Sequence, residues 1–165
     1  MAQTTTQGQQ LPASTKKENH MPMWKIYVPE GAYSKEQKKA FSDAITDVYV
    51  DFAALPRFYV VVVFHDQPAD SIWIGGEPAN DFVRMTIDHI ARRMPESDDF
   101  RDMTMAAFED AIAPHVKDRG FRWEIHIDET PIQLWRTNGI KPPPGDSEAE
   151  REWARINAAI EWETV

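Results

Sequence analysis

The stretch Met21-Pro22-Met23-Trp24-Lys25-Ile26-Tyr27-Val28 decides how this chain is read. From Trp24 to Val28 apolar and polar residues alternate, the period of a strand with one face on a core. Pro22 stands at the entry, where a missing N–H costs a sheet little. The period then changes. Ser34-x-x-Gln37 is a capping-box pattern. Behind it Ala40, Phe41, Ala44, Ile45, Val48 and Phe52 recur at three- and four-residue spacing. That spacing predicts a helix to about Ala54, ended by Leu55-Pro56. Residues 58–64 form a near-continuous aromatic and β-branched run, as expected of a strand buried on both faces.

The same order then repeats. Residues 67–80 read as loop, with Gly75-Gly76 as a turn or bulge. Residues 82–91 read as a strand, residues 97 to about 118 as a helix closed by Arg119-Gly120, and residues 121–127 as an alternating strand. The two helices share a string: Ala40-Phe41-Ser42-Asp43-Ala44-Ile45 and Ala107-Phe108-Glu109-Asp110-Ala111-Ile112. Its place at the same point of two consecutive units favours duplication. A β–α–β crossover gives parallel strands and is nearly always right-handed. Two such units side by side predict an α/β fold: a four-stranded core sheet with both helices on one face. The other face is expected to be apolar and to need cover, which self-association supplies. Beyond, residues 132–135 read as a short strand, Asn138-Gly139 as a turn and Pro142-Pro143-Pro144-Gly145 as a stiff connector. Ser147-x-x-Glu150 opens a C-terminal helix to about Trp162. Its stripe of Trp153, Ile156, Ala159 and Ile160 packs on the domain or on a neighbouring subunit.

Composition bounds the function. The chain has 165 residues, 42% of them hydrophobic, with six Trp, enough for one domain with a real core. A formal charge of −9 argues against nucleic acid or anionic membrane as partner, since either needs a basic face. It leaves room for a small anionic ligand held by one or two arginines. There is no Cys, hence no disulfide, thiolate or Cys-based zinc chemistry. The longest apolar run is too short to span a bilayer. Residues 1–21 read as a disordered, polar extension without the apolar core of a secretory signal, and residues 22–165 as a single domain. A soluble, cytoplasmic protein fits best. His65 and His89, with Asp66 and Asp88, show no recognisable metal-ligand spacing, so no metal is expected.

Pro22 carries the sharpest chemical question. Methionine is trimmed before proline, and a chain starting at Met21 would mature to a secondary amine at the mouth of a sheet. An α-amino group titrates near about 7.7–8.0, and burial or a nearby arginine lowers that into the range of a general base. Twenty residues precede Met21, however, and while they are attached the Pro22 nitrogen is an amide with no basicity. Pro22 is then simply the start of a strand. Arg92 and Arg93 follow a strand, where a guanidinium can fork onto a carboxylate or pair with Glu96, Asp98 or Asp99. Adjacent strand residues point to opposite faces, so the two are not equivalent. Tyr49 is a proton donor or a core aromatic, His126 a group titrating near neutrality or a structural strand histidine. Trp123 and Trp135 line an apolar pocket or pack in the core.

Several strings in order resemble one family. They are Pro22-Met23-Trp24 with Tyr27-Val28, Ala44-Ile45-Thr46-Asp47, Gln67-Pro68-Ala69 before Gly75-Gly76, His89-Ile90-Ala91-Arg92, and Asn138-Gly139 leading into the prolines. Together they resemble the tautomerase superfamily, in particular its cis-chloroacrylic acid dehalogenase-like branch and fungal oxalocrotonate tautomerase-like proteins. The resemblance implies a duplicated β–α–β fold, a homotrimer, and cofactor-independent isomerase or lyase chemistry on a small 2-oxo or unsaturated carboxylate or related enolisable compound. It implies Pro22 as general base or acid when it is the true terminus, Arg92 on the substrate carboxylate, and Arg93 in place of a second arginine where this chain has Met94-Pro95. Three positions depart from the dehalogenase pattern. Tyr49 stands for a histidine, His126 for a tyrosine, and Thr137 and Asn138 for a water-activating glutamate. Hydrolytic dehalogenation is therefore not expected. The rival reading is a tautomerase-fold binding protein, or an enzyme of specialised metabolism, with no free amine and with Tyr49 and His126 as its acid/base groups.

Overall fold

The computed structural model describes residues 21–91 and 94–162. Strand β1 (Met21–Pro29) alternates as its sequence requires, with Pro22, Trp24, Ile26 and Val28 buried on one face. Met21, assigned to the extension by sequence, is the first residue of this strand and pairs with Ile90; the rest of the predicted extension lies outside the described residues. Helix α1 (Lys35–Ala53) opens on a closed capping box: Gln37 N–H donates to Ser34 Oγ (3.2 Å) and Ser34 N–H to Gln37 Oε1 (2.8 Å). It ends on Ala54 in the left-handed region (φ 52°), ahead of Pro56.

The run at residues 58–64 divides. Arg57–Tyr59 is a 3-10 turn and strand β2 is Val61–Gln67. β2 pairs only with β1, in parallel, and lies at an edge of the sheet, so it is half-exposed rather than buried on both faces. The run is continuous because Phe58 and Tyr59 serve a separate aromatic cluster and only the rest serves the sheet. Within the predicted loop, β3 (Trp73–Ile74) and β4 (Glu77–Pro78) make a small hairpin. Gly75 and Gly76 both have positive φ (63° and 90°), which a primed two-residue turn demands.

Strand β5 (Phe82–Ala91) runs antiparallel to β1. Helix α2 (Asp98–Ile112) stops short of the predicted end because Pro114 cannot continue it; two 3-10 turns carry the chain to Gly120. Strand β6 (Arg122–Pro131) pairs in parallel with β5, completing the order β2-β1-β5-β6. Ile132–Leu134 is a 3-10 turn where a strand was expected, since Pro131 closes the ladder. Helix α3 (Glu148–Ile156) ends early, on Asn157 at φ 53°.

Both long helices cover the face bearing Trp24, Ile26, Val83, Met85 and Ile87. The repeated string buries the same two positions in each helix, Phe41 and Ile45 in α1, Phe108 and Ile112 in α2. α3 packs on its own domain. Trp153 is fully buried, with Tyr59 and Phe58 rings beside it, and Trp135 meets Tyr59 edge-on at 5.0 Å. Trp135 is thus core. Replacing Trp153 with Ala removes the keystone of this cluster, a class of change costing about 3–5 kcal/mol.

The other sheet face departs from expectation. It is not apolar. Lys25 pairs with Asp88 (2.7 Å), Arg84 with Glu124 (2.7 Å), and Tyr27 stacks on His65 (4.8 Å). The alternation that buries one face of β1, β5 and β6 hands their charged residues to the other. Of the exposed large apolar side chains, Val61 lies on this face at its β2 edge, in register with Met23, while Phe52 is on α1, Trp73 and Ile74 on the hairpin, Phe100 and Met103 on α2, and Leu134 and Ile160 after β6 and α3. Among the described residues no helix is long and apolar enough to cross a membrane.

Candidate active site

The antiparallel pairing of β1 with β5 brings Pro22 opposite His89. Both are buried and both face the helices. Directly opposed residues on one face of an antiparallel pair have Cβ atoms about 4.5–5.5 Å apart, so the pyrrolidine and the imidazole are neighbours. Tyr49, from the last turns of α1, closes the third side: its ring lies 5.9 Å from that of His89 and 5.3 Å from that of Phe108. Trp24 stands next to Pro22 along the same face and donates its indole N–H to Tyr49 Oη at 3.0 Å. Phe108 meets Trp24 edge-on.

This environment fixes protonation states. Burial holds the Tyr49 phenol well above its ordinary value, partly offset by the Trp24 hydrogen bond. Tyr49 is therefore a neutral hydroxyl whose oxygen already accepts one bond and whose hydrogen remains to be donated. Burial likewise pulls His89 down to about 4, against the opposing charge of Glu129. An imidazole with that value is uncharged at neutral pH. Glu129 is the register partner of His89 on β6. Its Oε1 accepts the N–H of Met94, tying β6 to the chain that follows β5.

Arg92 and Arg93 lie outside the described residues. β5 runs up to them, and its Ile90 and His89 are the partners of Met21 and Pro22. Of the remaining candidates, the fold sets Tyr49 against Trp24 and His89, the residues next to and opposite Pro22, and sets His126 apart from them. His126 sits on the charged face of the sheet, between Arg84 at Nδ1 and Asp128 at Nε2. A guanidinium only donates, so Nδ1 accepts and the ring proton is on Nε2. Within one subunit the sheet separates His126 from Pro22 and Tyr49, because His126 takes the other parity of its strand from Glu129. Asn138 is exposed in a tight turn, where its φ of 50° and that of Gly139 (80°) let Thr137 and Ile140 bond to each other. Among the described residues no three His, Asp or Glu gather as a metal site.

Sequence reading passed over His89 and Glu129 as site residues. The signal that finds them is cross-strand register, which needs the β1–β5 pairing and not just the strands. A separate cleft of about 240 Å³ lies at the other end of β1, between Pro29, Gln67, Ala69, Ile72 and Asn80.

Comparison with known proteins places this geometry. No curated protein matches the chain. Among solved structures, RhCC from Rhodococcus jostii RHA1 is 48% identical with a TM-score of 0.82, over 85% of this chain and 99% of that one. A protein described as "a probable enzyme" from the thermophilic fungus Aspergillus fumigatus is 36% identical with a TM-score of 0.80, over 87% and 99%. N1, a member of the cis-3-chloroacrylic acid dehalogenase family, shares the fold at 21% identity and a TM-score of 0.62, over 79% of this chain and 89% of that one. Two fused 4-OT proteins of the same fold, at 21% and 18% identity with TM-scores of 0.55 and 0.58, are trimers; each covers about the same share, 72% of this chain and 94% of its own. The family described as "Putative oxalocrotonate tautomerase enzyme" matches residues 21–158, from the residue before Pro22 through the end of α3. A duplicated β–α–β sheet with a proline at its first strand's entry, matched over that whole span, makes this chain a member of that oxalocrotonate tautomerase-like family.

Proposed function

We propose that the protein is a cofactor-independent tautomerase-type isomerase or lyase acting on a small 2-oxo or α,β-unsaturated carboxylate, or a related enolisable compound. The observation that carries this reading is the cluster of Pro22 with Tyr49 at one end of the sheet, in a chain of this family. In it Pro22, freed as the N-terminal amine, takes a proton from the substrate and returns it at another carbon. The Tyr49 hydroxyl donates to the enolate oxygen as charge develops. Arg92, with Arg93 as the weaker partner, holds the carboxylate. Asn138 is not part of this reading, because it serves its turn. Pro22 and Tyr49 supply the base and the hydrogen-bond donor that this reaction needs, so the reading calls for no cofactor. We place the enzyme in the cytoplasm as a homotrimer; the trimeric fused 4-OT proteins support the assembly.

A second reading has one observation in its favour. In the full chain β1 already includes Met21, so the Pro22 nitrogen is an amide inside a strand. A protein that keeps its extension binds small molecules in this fold, or reacts them through Tyr49 without the amine. His126 joins such chemistry only if an oligomer neighbour presents it.

The discriminating experiment compares the full chain with a version beginning at Met21 and trimmed to Pro22, using phenylenolpyruvate as a generic enol. The trimmed form is expected to turn it over faster by about 10²-fold or more, the usual contribution of a positioned general base. Equal rates and equal pH profiles in both forms, unchanged by Pro22→Ala, would remove proline chemistry from this protein.

A further inference from the structure

The helix that carries Tyr49 runs on past the site. In α1 the buried residues Phe41, Ile45 and Tyr49 follow one another at four-residue spacing on the face turned to the sheet. Successive helical residues are about 100° apart, so Phe52 falls within about 20° of Ile45, in the middle of that stripe. Its side chain is nevertheless 71% exposed. The topology supplies the reason. α1 runs against β1: Phe41 lies beside Phe64 (5.8 Å), whose register partner is Ile26, while Tyr49 bonds to Trp24, nearer the start of the strand. Phe52 is about 4.5 Å further along the helix axis than Tyr49. That step carries it toward Pro22 and the strand entry, where the core that covers Phe41 and Ile45 has ended. α2 adds a second apolar side chain at this end. It starts where β5 finishes, past the pairing of His89 with Pro22, and Phe100 in its first turn is 38% exposed.

We propose that Phe52 is a specificity residue of the proline site: its ring receives an apolar group, of about the size of a phenyl ring, on the end of the substrate remote from its carboxylate. The inference rests on the isomerase reading above and narrows its substrate class to 2-oxo or enol acids bearing an aryl or branched alkyl substituent. The argument is one of position and solvation. A substrate with its reacting carbon at Pro22 and its oxygen on the Tyr49 hydroxyl turns its carboxylate to the arginines that follow β5. Its other end leaves the site past the last turn of α1, where Phe52 stands one turn out from Tyr49 on the same face. An apolar group there removes water from its own surface and from the Phe52 ring together. A second carboxylate would fare worse. The last turn of α1 has no basic residue, its free carbonyls carry the negative end of the helix dipole, and Asp51 is exposed beside Phe52.

Isothermal titration of the full chain with phenylpyruvate and with pyruvate tests this, on wild type, Phe52→Ala and Phe52→Leu, with light scattering of each protein. The readout is the ratio of the two affinities, which requires no turnover. Wild type is expected to favour phenylpyruvate. Phe52→Ala should cut the ratio about tenfold, what roughly 55 Å² of apolar contact supplies. Phe52→Leu, which keeps an apolar side chain, should retain part of it. A ratio unchanged in Phe52→Ala, or a wild type that binds neither acid, would overturn the inference. So would an assembly that Phe52→Ala breaks up, since Phe52 would then be a subunit contact. Failure of the isomerase reading looks different: the ratio shifts with Phe52, and neither the full nor the trimmed chain turns over phenylenolpyruvate.

Discussion

At the scale of single residues, the buried imidazole of His89 has a cost that shows in stability. Its pKa falls from 6.5 to about 4 on folding because burial excludes the charged form. The unfolded chain therefore binds the proton that the native state refuses, between those two values. Stability from this group is fully present above about pH 6.5 and is lost as pH falls toward 4, by about 3 kcal/mol at the lower end. Urea titrations at pH 7 and near pH 4 should show that loss in wild type and a clearly smaller one in His89→Gln; equal losses would mean the acid limb belongs to carboxylates alone. Arginine gives a second expectation. Arg92→Ala should weaken binding of small carboxylates more than Arg93→Ala, by about 2–5 kcal/mol for a lost charged partner in a pocket. Isothermal titration with a 2-oxo acid reads it, and equal effects would make Arg92 a structural ion pair.

At the scale of elements, helix starts were read well because side chains cap them, the end of α1 was read from Leu55-Pro56, and the ends of α2 and α3 were placed too late. Ser34 with Gln37 marked the start of α1, and Ser147 with Glu150 that of α3, because a cap is a short pattern with a fixed offset. The stop of α3 at Asn157 was missed, since the apolar stripe runs on through Ala159 and Ile160 without being helical. There Trp153 Nε1–H donates to Ile160 O (2.9 Å), folding the tail back, and Asn157 Oδ1 accepts Phe58 N–H (3.0 Å), a bond across ninety-nine residues that no local window contains. The same applies to the site. The strings offered Pro22 and Tyr49 as candidates, while the placing of His89 opposite Pro22 and of Glu129 beside His89 required the register of three strands. Ala54 offers an engineering test. It holds a left-handed conformation (φ 52°) that costs a Cβ-bearing residue about 1 kcal/mol or more and glycine little. Ala54→Gly should raise the midpoint of thermal unfolding; a lower midpoint would show that the Ala54 methyl contributes packing that outweighs the strain.

At the scale of the whole molecule, the distribution of charge and apolar surface speaks to assembly. The sheet face opposite the helices carries paired charges, and the exposed apolar residues are spread over its β2 edge (Val61), the hairpin (Trp73, Ile74), the long helices (Phe52, Phe100, Met103) and the segments after β6 and α3 (Leu134, Ile160). An assembly built on Val61, Trp73, Ile74 and Leu134 is hydrophobic in its contacts, so light scattering should report a trimer whose mass holds from low salt to about 1 M salt, where surface ion pairs are screened. A trimer that falls apart in salt would place its contacts on the charged face instead. The sheet order has one more consequence. With β1 and β5 antiparallel at the centre and each flanked by its own parallel partner, the two halves are related by a twofold axis. The axis carries the Pro22 end onto the opposite end of the sheet, where the cleft beside Pro29 and Asn80 lies. There β5 is entered through Asp81 by an unbroken peptide, so no trimming of the chain can free a nitrogen. The frame is close to symmetric and the proposed chemistry is not: on the proline reading the expected stoichiometry of amine centres is one per chain, and in the proposed trimer three rather than six, which titration of the trimmed protein with an amine-directed inactivator would count.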